Sequence, residues 1–471
     1  MSGIRAYALV LLALALGCSD AGTTQPPNVV VFLTDDQGYG DVGAFGATDI
    51  PTPNFDRLAA DGLRLTSFYS APTCTPSRAM LMTGSYGQRV SAPPAYYPWD
   101  DTGLSPDEIT MAEVLRERGY ATGLVGKWHL GHRPPFLPTR QGFDEYFGIP
   151  YSNDMGRKNP LDLSIYPDLP LMDGETVIET EPDQSQLVRR YTERATDFIA
   201  RHADAPFFLE IAHSMPHWPI AASDRFRGVS PRGLYGDVIA ELDWSMGRIL
   251  DALHEHGLDE RTLVLFVSDN GPWLIFGNHA GSAGALREGK STSFEGGVRV
   301  PAIARWPGHV PAGAATSAVL GLADVLPTVA RLTGATLPDD RKLDGHDAWP
   351  VLSGADEASF DERMWLVHRV GGLEAVRRGR WKLHLPHPYQ SIVEPGVDGA
   401  PGREQTLQIG LSLFDLESDL GETHDVAAEH PDVVAEMLAI AEDARADLGD
   451  GLTGRVGSGV RPPGRWDAAN P

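Results

Sequence analysis

The stretch Asn28-Val29-Val30-Val31-Phe32-Leu33-Thr34, running straight into Asp35-Asp36-Gln37-Gly38, decides how this chain folds. An apolar run with no polar alternation suits a strand buried on both faces, as in α/β sheets. Similar runs recur at 121–125, 207–212 and 263–268, with helical patterns between them over 107–119, 186–202 and 235–256. Strand alternating with helix predicts an α/β domain, a mostly parallel sheet sandwiched by helices, over 28–355. Past that point the pattern changes. Short strand candidates at 364–368, 374–377, 381–385 and 413–415 are separated by Gly, Pro and charged turns, and an amphipathic helix follows over 432–448. This predicts a smaller C-terminal α+β subdomain with an antiparallel sheet, 356–471.

At 471 residues the chain exceeds the size at which one hydrophobic core keeps growing, which agrees with a large unit plus a small one. Its 42% hydrophobic and 22% charged residues are those of a soluble globular protein. A formal net charge of −25 excludes nucleic acid as a partner, because phosphate binding needs a basic face. The same acidity sets a condition: an anionic substrate has to be met by cations concentrated at one site.

Arg5 precedes an unbroken apolar run, 6–16, of signal-peptide length and too short to span a bilayer. The run closes on Ala15-Leu16-Gly17-Cys18 and is followed by Ser19-Asp20-Ala21-Gly22. This resembles a bacterial lipoprotein signal, with 1–18 as signal and lipobox, Cys18 lipidated and 19–27 as a tether. A plain secretory signal is the alternative. Both readings export the protein to the periplasm or cell envelope, touching membrane only through an anchor.

Functional groups of open α/β sheets gather at the carboxyl ends of strands. Asp35 and Asp36 follow the first strand directly, and adjacent strand residues point to opposite faces, so both serve one centre only if the chain turns there. Gly38 suits such a turn. Ser268-Asp269-Asn270-Gly271 closes a second strand in the same way. Three carboxylates and an amide form a hard-oxygen set, suited to Ca²⁺ or Mg²⁺. Each cluster read alone is also ordinary turn chemistry.

Cys74-Thr75-Pro76-Ser77-Arg78 leads into an apolar helical run. Pro76 suits a first helical turn with Thr75 as its cap, which puts Cys74 just ahead of a helix start that favours anions. The pattern Cys-x-Pro-Ser-Arg resembles the signature of type I, formylglycine-dependent sulfatases of the arylsulfatase kind, in the alkaline-phosphatase-like superfamily. Other blocks agree in order: Gly126-Lys127-Trp128-His129-Leu130-Gly131, Gly148 to Asp154 around Ser152, His213-Ser214-Met215-Pro216-His217-Trp218-Pro219, and Arg287-Glu288-Gly289-Lys290. Lys127 and His129, two apart, share a face if the chain is extended, leaving Trp128 to pack. Glu288 departs from the family's lysine loop; it either tunes substrate choice or faces solvent. His213 takes no assigned role.

The resemblance implies an alkaline-phosphatase-like fold and sulfate ester hydrolysis. Cys74 is then oxidised to formylglycine by a formylglycine-generating maturation enzyme, and its hydrate attacks sulfur. A metal, Ca²⁺ or alternatively Mg²⁺, is held by Asp35, Asp36, Asp269, Asn270 and residue 74. Asp269 is the base and Arg78 stabilises the diol. Lys127, Ser152, His217 and Lys290 bind the substrate; His217 protonates the leaving oxygen, and His129 assists breakdown of the intermediate. The substrate is a sulfated small molecule or a sulfated glycan. Exported proteins pair two cysteines by default, but lipidation occupies Cys18 and oxidation occupies Cys74, so no disulfide is expected.

Overall fold

The computed structural model describes residues 26–161 and 165–468. The signal and lipobox, Cys18 and nearly all of the tether lie outside the described residues.

Ten strands form one mixed sheet, in the spatial order Ala314–Thr316, Leu63–Leu65, Ala302–Arg305, Thr262–Ser268, Asn28–Thr34, Phe207–Ala212, Ala121–Gly126, Glu145–Gly148, Pro170–Asp173, Thr176–Thr180. Its middle is parallel: Asn28–Thr34 pairs in parallel with Thr262–Ser268 on one side and Phe207–Ala212 on the other. Ala121–Gly126 continues the parallel run to Glu145–Gly148. Antiparallel pairs extend it at both sides, starting at Ala302–Arg305 and at Pro170–Asp173.

All seven residues of Asn28–Thr34 are buried. With a two-residue side-chain period, Val29, Val31 and Leu33 enter one core while Val30 and Phe32 enter the other. At about 1.5–3 kcal/mol per fully buried Val, Leu or Phe, this strand alone anchors both layers. Helices Cys74–Thr83, Met111–Glu117 and Val325–Thr333 pack on the first face. Helices Pro53–Ala60, Leu187–Arg201 and Gly233–Glu255 pack on the second.

The predicted helices are present, with ends shifted by up to four residues. The first begins at Met111 rather than 107 because Thr110 and Glu113 form a capping box: Thr110 Oγ1 accepts from Glu113 N at 3.2 Å, and Glu113 Oε2 accepts from Thr110 N at 2.8 Å.

Beyond the main sheet, Met364–Arg369, Gly372–Arg378, Trp381–His384 and Ser412–Asp415 make a four-stranded antiparallel sheet. Met437, Ala441 and Ala444 of the helix Pro431–Leu448 pack on it. A hairpin, His387–Glu394 with Arg403–Ile409, adds strands that the hydrophobic pattern did not indicate. Among the described residues no helix is long and apolar enough to cross a membrane.

Candidate active site

The acidic centre forms where the two middle strands end side by side. Thr34 is level with Ser268, so Asp35 and Asp36 emerge beside Asp269 and Asn270. The turn that lets both aspartates serve one centre lies at Asp36 itself, whose φ of 63° is left-handed, a conformation short polar residues tolerate best. Gly38 itself has an extended backbone, with φ −72° and ψ 153°. That glycine is needed for space: a Cβ there would sit 2.3 Å from the Ser282 carbonyl oxygen.

Asp36 N donates to Asp269 Oδ1 at 3.2 Å, and Asn270 Nδ2 donates to Asp36 Oδ1 at 2.7 Å. Asn270 Oδ1 stays buried without a hydrogen-bond partner. Oxygens of Asp35 and Asp36, Cys74 Sγ and a ring nitrogen of His217 lie within 4.8 Å of one another. Three buried carboxylates with an unpartnered amide oxygen fit a hard divalent cation.

Cys74 opens the helix Cys74–Thr83 as its first residue: the helix starts two residues earlier than expected, with Thr73 rather than Thr75 at the cap. Thr75 lies within the first turn, its hydroxyl donating to the His129 carbonyl at 3.1 Å. The buried Cys74 Sγ lies 3.4 Å from Asp35 Oδ1 and 3.5 Å from Lys290 Nζ. Burial pushes its thiol well above the ordinary value, and the charges of Asp269 and Asp35 push the same way. Among the described residues Cys74 is a free cysteine.

Arg78 stands one turn along the same helix. Its Nε and Nη2 donate to Asp269 Oδ2 at 3.0 and 2.9 Å, Nη2 reaches Asp35 Oδ2 at 3.4 Å, and Nη1 donates to the Lys127 carbonyl at 2.5 Å. Its guanidinium ties the carboxylates together and does not bond to Sγ.

Two lysines face the carboxylates. Lys127 Nζ donates to Asp35 Oδ2 at 2.5 Å and to Ser152 Oγ at 3.2 Å. Lys290 Nζ lies 2.7 Å from Asp36 Oδ1 and 2.9 Å from its Oδ2. Burial opposes the charge on Asp35, but Lys127, His217, Arg78 and Lys290 overcome it and hold that carboxyl well below the usual range. Asp36 is pushed up to about 7 by burial, against Lys290 and with Asp35 and Asp269 adding.

His217 Nδ1 donates to the Trp218 carbonyl at 2.6 Å, which leaves Nε2, 3.6 Å from Asp36 Oδ2, to face the site. Burial, joined by Lys290, holds it well below the ordinary imidazole value. His129 Nε2 donates to the Tyr96 carbonyl at 3.2 Å. It reaches the site through a turn at φ 61°, not through strand alternation with Lys127. Trp128 packs as expected, 2% exposed.

Two open points resolve structurally. His213 is buried, 4.9 Å ring to ring from Phe32, with Nε2 3.1 Å from Ser245 Oγ. Glu288 is half-buried and accepts from Ser391 Oγ of the C-terminal hairpin at 2.8 Å. Sequence reasoning missed Trp273, whose ring lies 4.5 Å below Lys290 Nζ and 5.3 Å from the His217 ring. It also missed Asn153, whose Nδ2 donates to the His217 carbonyl at 3.3 Å. An aromatic three residues beyond Asn270, and an amide beside Ser152, were the available signals.

A helix-covered sheet carrying acidic groups and cations at neighbouring strand ends defines a hydrolase of the alkaline-phosphatase-like class. The chain belongs to the sulfatase family: the family model described as Sulfatase matches residues 27–335. It is 38% identical to N-acetylgalactosamine-6-sulfatase of Canis lupus familiaris, over 94% of this chain and 90% of that protein. It is also 38% identical to arylsulfatase A of Homo sapiens, over 95% and 93%. The solved PsFucS1 sulfatase from Pseudoalteromonas sp. superposes with a TM-score of 0.80 at 29% identity, covering 90% of each chain. The protein is a sulfuric ester hydrolase.

Proposed function

We propose that sulfate ester hydrolysis here runs on a formylglycine made from Cys74 by a maturation enzyme, beside a divalent cation, Ca²⁺ or alternatively Mg²⁺. The observation that carries this reading is the placement of Cys74, first residue of its helix and buried among Asp35, Asp36, His217 and Lys290. A thiol raised well above its ordinary value by burial and two carboxylates is a poor nucleophile, since the thiolate is the reactive form. Its position is nevertheless the focus of the site, within reach of Asp35 and Lys290. Oxidation to an aldehyde, hydrated to a geminal diol, gives that position an oxygen nucleophile.

One diol oxygen attacks sulfur, the bond from sulfur to the leaving alcohol oxygen breaks, and the sulfate is held covalently on residue 74. The second hydroxyl then loses its proton, the aldehyde re-forms and inorganic sulfate departs. Asp35, Asp36, Asp269, Asn270 and residue 74 would hold the cation. A bound divalent cation supplies Lewis-acid neutralisation and a lowered pKa for the nucleophile.

Asp269 takes the diol proton, and Arg78 fixes Asp269 and Asp35 for that exchange. Lys127, Ser152 and Lys290 hold the sulfuryl oxygens, as fixed donors do for charge that builds in a transition state. His217 protonates the leaving oxygen: the ester's negative charge beside Nε2 favours the imidazolium that burial otherwise opposes. His129 assists release of sulfate.

The relatives bear the names of carbohydrate and aryl sulfatases, and sulfated glycans or aryl sulfates are the substrates assigned here. We also assign 28–355 as the catalytic domain and 356–471 as its subdomain. Lipidation at Cys18 fixes the exported protein to the cell envelope, an assignment that membrane fractionation of Cys18→Ala checks. The mechanism is tested by Cys74→Ser. That variant keeps its melting temperature and loses turnover of an aryl sulfate by on the order of 10³-fold or more. Near-normal turnover in it overturns the formylglycine reading.

A further inference from the structure

Beside the buried cations stands a surface that the hydrolytic steps leave unused. Tyr97 and Trp99 stack with ring centroids 5.0 Å apart and planes 2° from parallel, and Trp99 stacks on Tyr166 at 5.5 Å and 9°. Tyr166 is the buried base at 9% exposed, while Tyr97 and Trp99 are 38% and 49% exposed. Aromatic faces gathered in one ladder at the surface mark a binding site more often than scattered apolar residues do.

Two separate connections join this ladder to the sulfate-binding groups. The residue before Tyr97 is Tyr96, whose carbonyl accepts from His129. At the other end Tyr166 lies within electrostatic reach of Asp154, which accepts from Ser152, and Ser152 accepts from Lys127. Lys127, Ser152, His217 and their carboxylates are all but fully buried, so the groups read as binding sulfate offer no surface to the remainder of a substrate. The rest of a substrate has to lie outside, and the ladder is an apolar surface at that edge.

We propose that Tyr97, Trp99 and Tyr166 form a sugar-stacking platform that binds a neutral pyranose ring adjoining the sulfated one. The inference rests on reading the buried site as the sulfate-ester pocket, and it deepens that reading from sulfate esters in general to sulfated oligosaccharides. A pyranose offers a flat face of C–H groups that covers an aromatic ring, whereas a small aryl sulfate carries no adjoining ring to reach the ladder. Charge favours a neutral ring over a second sulfate or a uronate. Asp100 accepts from Tyr97 N at 2.7 Å, Asp101 follows it, and the neighbouring cation Arg133 is committed to Asp101 at 2.7 Å and to the Trp466 ring at 4.7 Å.

The test measures binding, without turnover, by calorimetry on full-length Cys74→Ser protein. The probes are a singly sulfated galactan tetrasaccharide with neutral neighbours and a small aryl sulfate. Adding Trp99→Ala raises the Kd for the tetrasaccharide about tenfold, leaves the aryl sulfate Kd unchanged, and Trp99→Phe restores most of the affinity. Equal weakening of both ligands, or no change in either, overturns the platform while the pocket reading stands. If the unmutated Trp99 protein binds neither probe, the pocket reading fails and this inference with it. Tighter binding of a uronate-containing tetrasaccharide, lost in Trp99→Ala, overturns the neutral-ring assignment.

Discussion

Glu210 lies mid-strand in Phe207–Ala212, on the face that carries the Cys74 helix, with Oε2 buried and unpartnered. Burial pushes its carboxyl up to about 7, with Arg78 pulling the other way. In the unfolded chain it ionises near 4.5. Below that pH both states are protonated and the group costs nothing. Between 4.5 and 7 the unfolded chain gives up its proton first, so folding stability falls as pH rises, by about 3 kcal/mol in total. Glu210→Gln removes this slope. Denaturant melts at pH 4.5 and pH 8 should show the variant gaining on the wild type at the higher pH, and parallel curves would show that Glu210 is already ionised in the fold. At this scale Cys74, Lys127, His129, His217 and Lys290 were legible because each stands in a short block of fixed spacing. Trp273 and Asn153 were not, because loop packing alone brings them to His217.

The loop that carries Lys290 shows what an element needs beyond its own sequence. Arg287 Nη1 donates to the Glu422 carbonyl at 2.7 Å, and Glu295 N donates to Glu422 Oε2 at 2.6 Å. The other Glu422 oxygen meets Lys382 Nζ at 3.0 Å and His384 Nε2 at 2.8 Å, all buried. The C-terminal subdomain therefore grips both ends of the lysine loop. Glu422→Ala strands the buried Lys382 beside Glu295 alone and frees the loop. The expected cost is about 3–5 kcal/mol, the usual range for breaking a buried ion pair. In protein that still folds, kcat for an aryl sulfate should fall too, because Lys290 loses its seat. Unchanged melting and unchanged kcat would refute this coupling. The central strands were readable because burial on both faces leaves an unbroken apolar run. The hairpin His387–Glu394 with Arg403–Ile409 was not: much of its second strand is exposed, so it carries no such signal.

Across the whole molecule, the two cores on opposite faces of the sheet hold the strand ends in register, and the charge of the site is paid for by that rigidity. Against the overall acidity of −25, Arg78, Lys127 and Lys290 balance the buried Asp35, Asp36 and Asp269 at the site. An ion bound only by the folded state stabilises it by mass action. Prolonged treatment with excess chelator should lower Tm and abolish turnover, with both restored by Ca²⁺ or Mg²⁺; a melting curve and activity that ignore the chelator would refute the cation assignment. The fold class was legible from strand and helix alternation, but the antiparallel flanks were not, since register is set by partners far apart in sequence. The most direct test of the central claim is the mass of the peptide spanning residue 74, taken from protein that turns over an aryl sulfate. Conversion of the –CH₂SH side chain to –CHO, lighter by the difference between those groups, is the predicted result. Fully active protein carrying only unmodified cysteine at position 74 would contradict it.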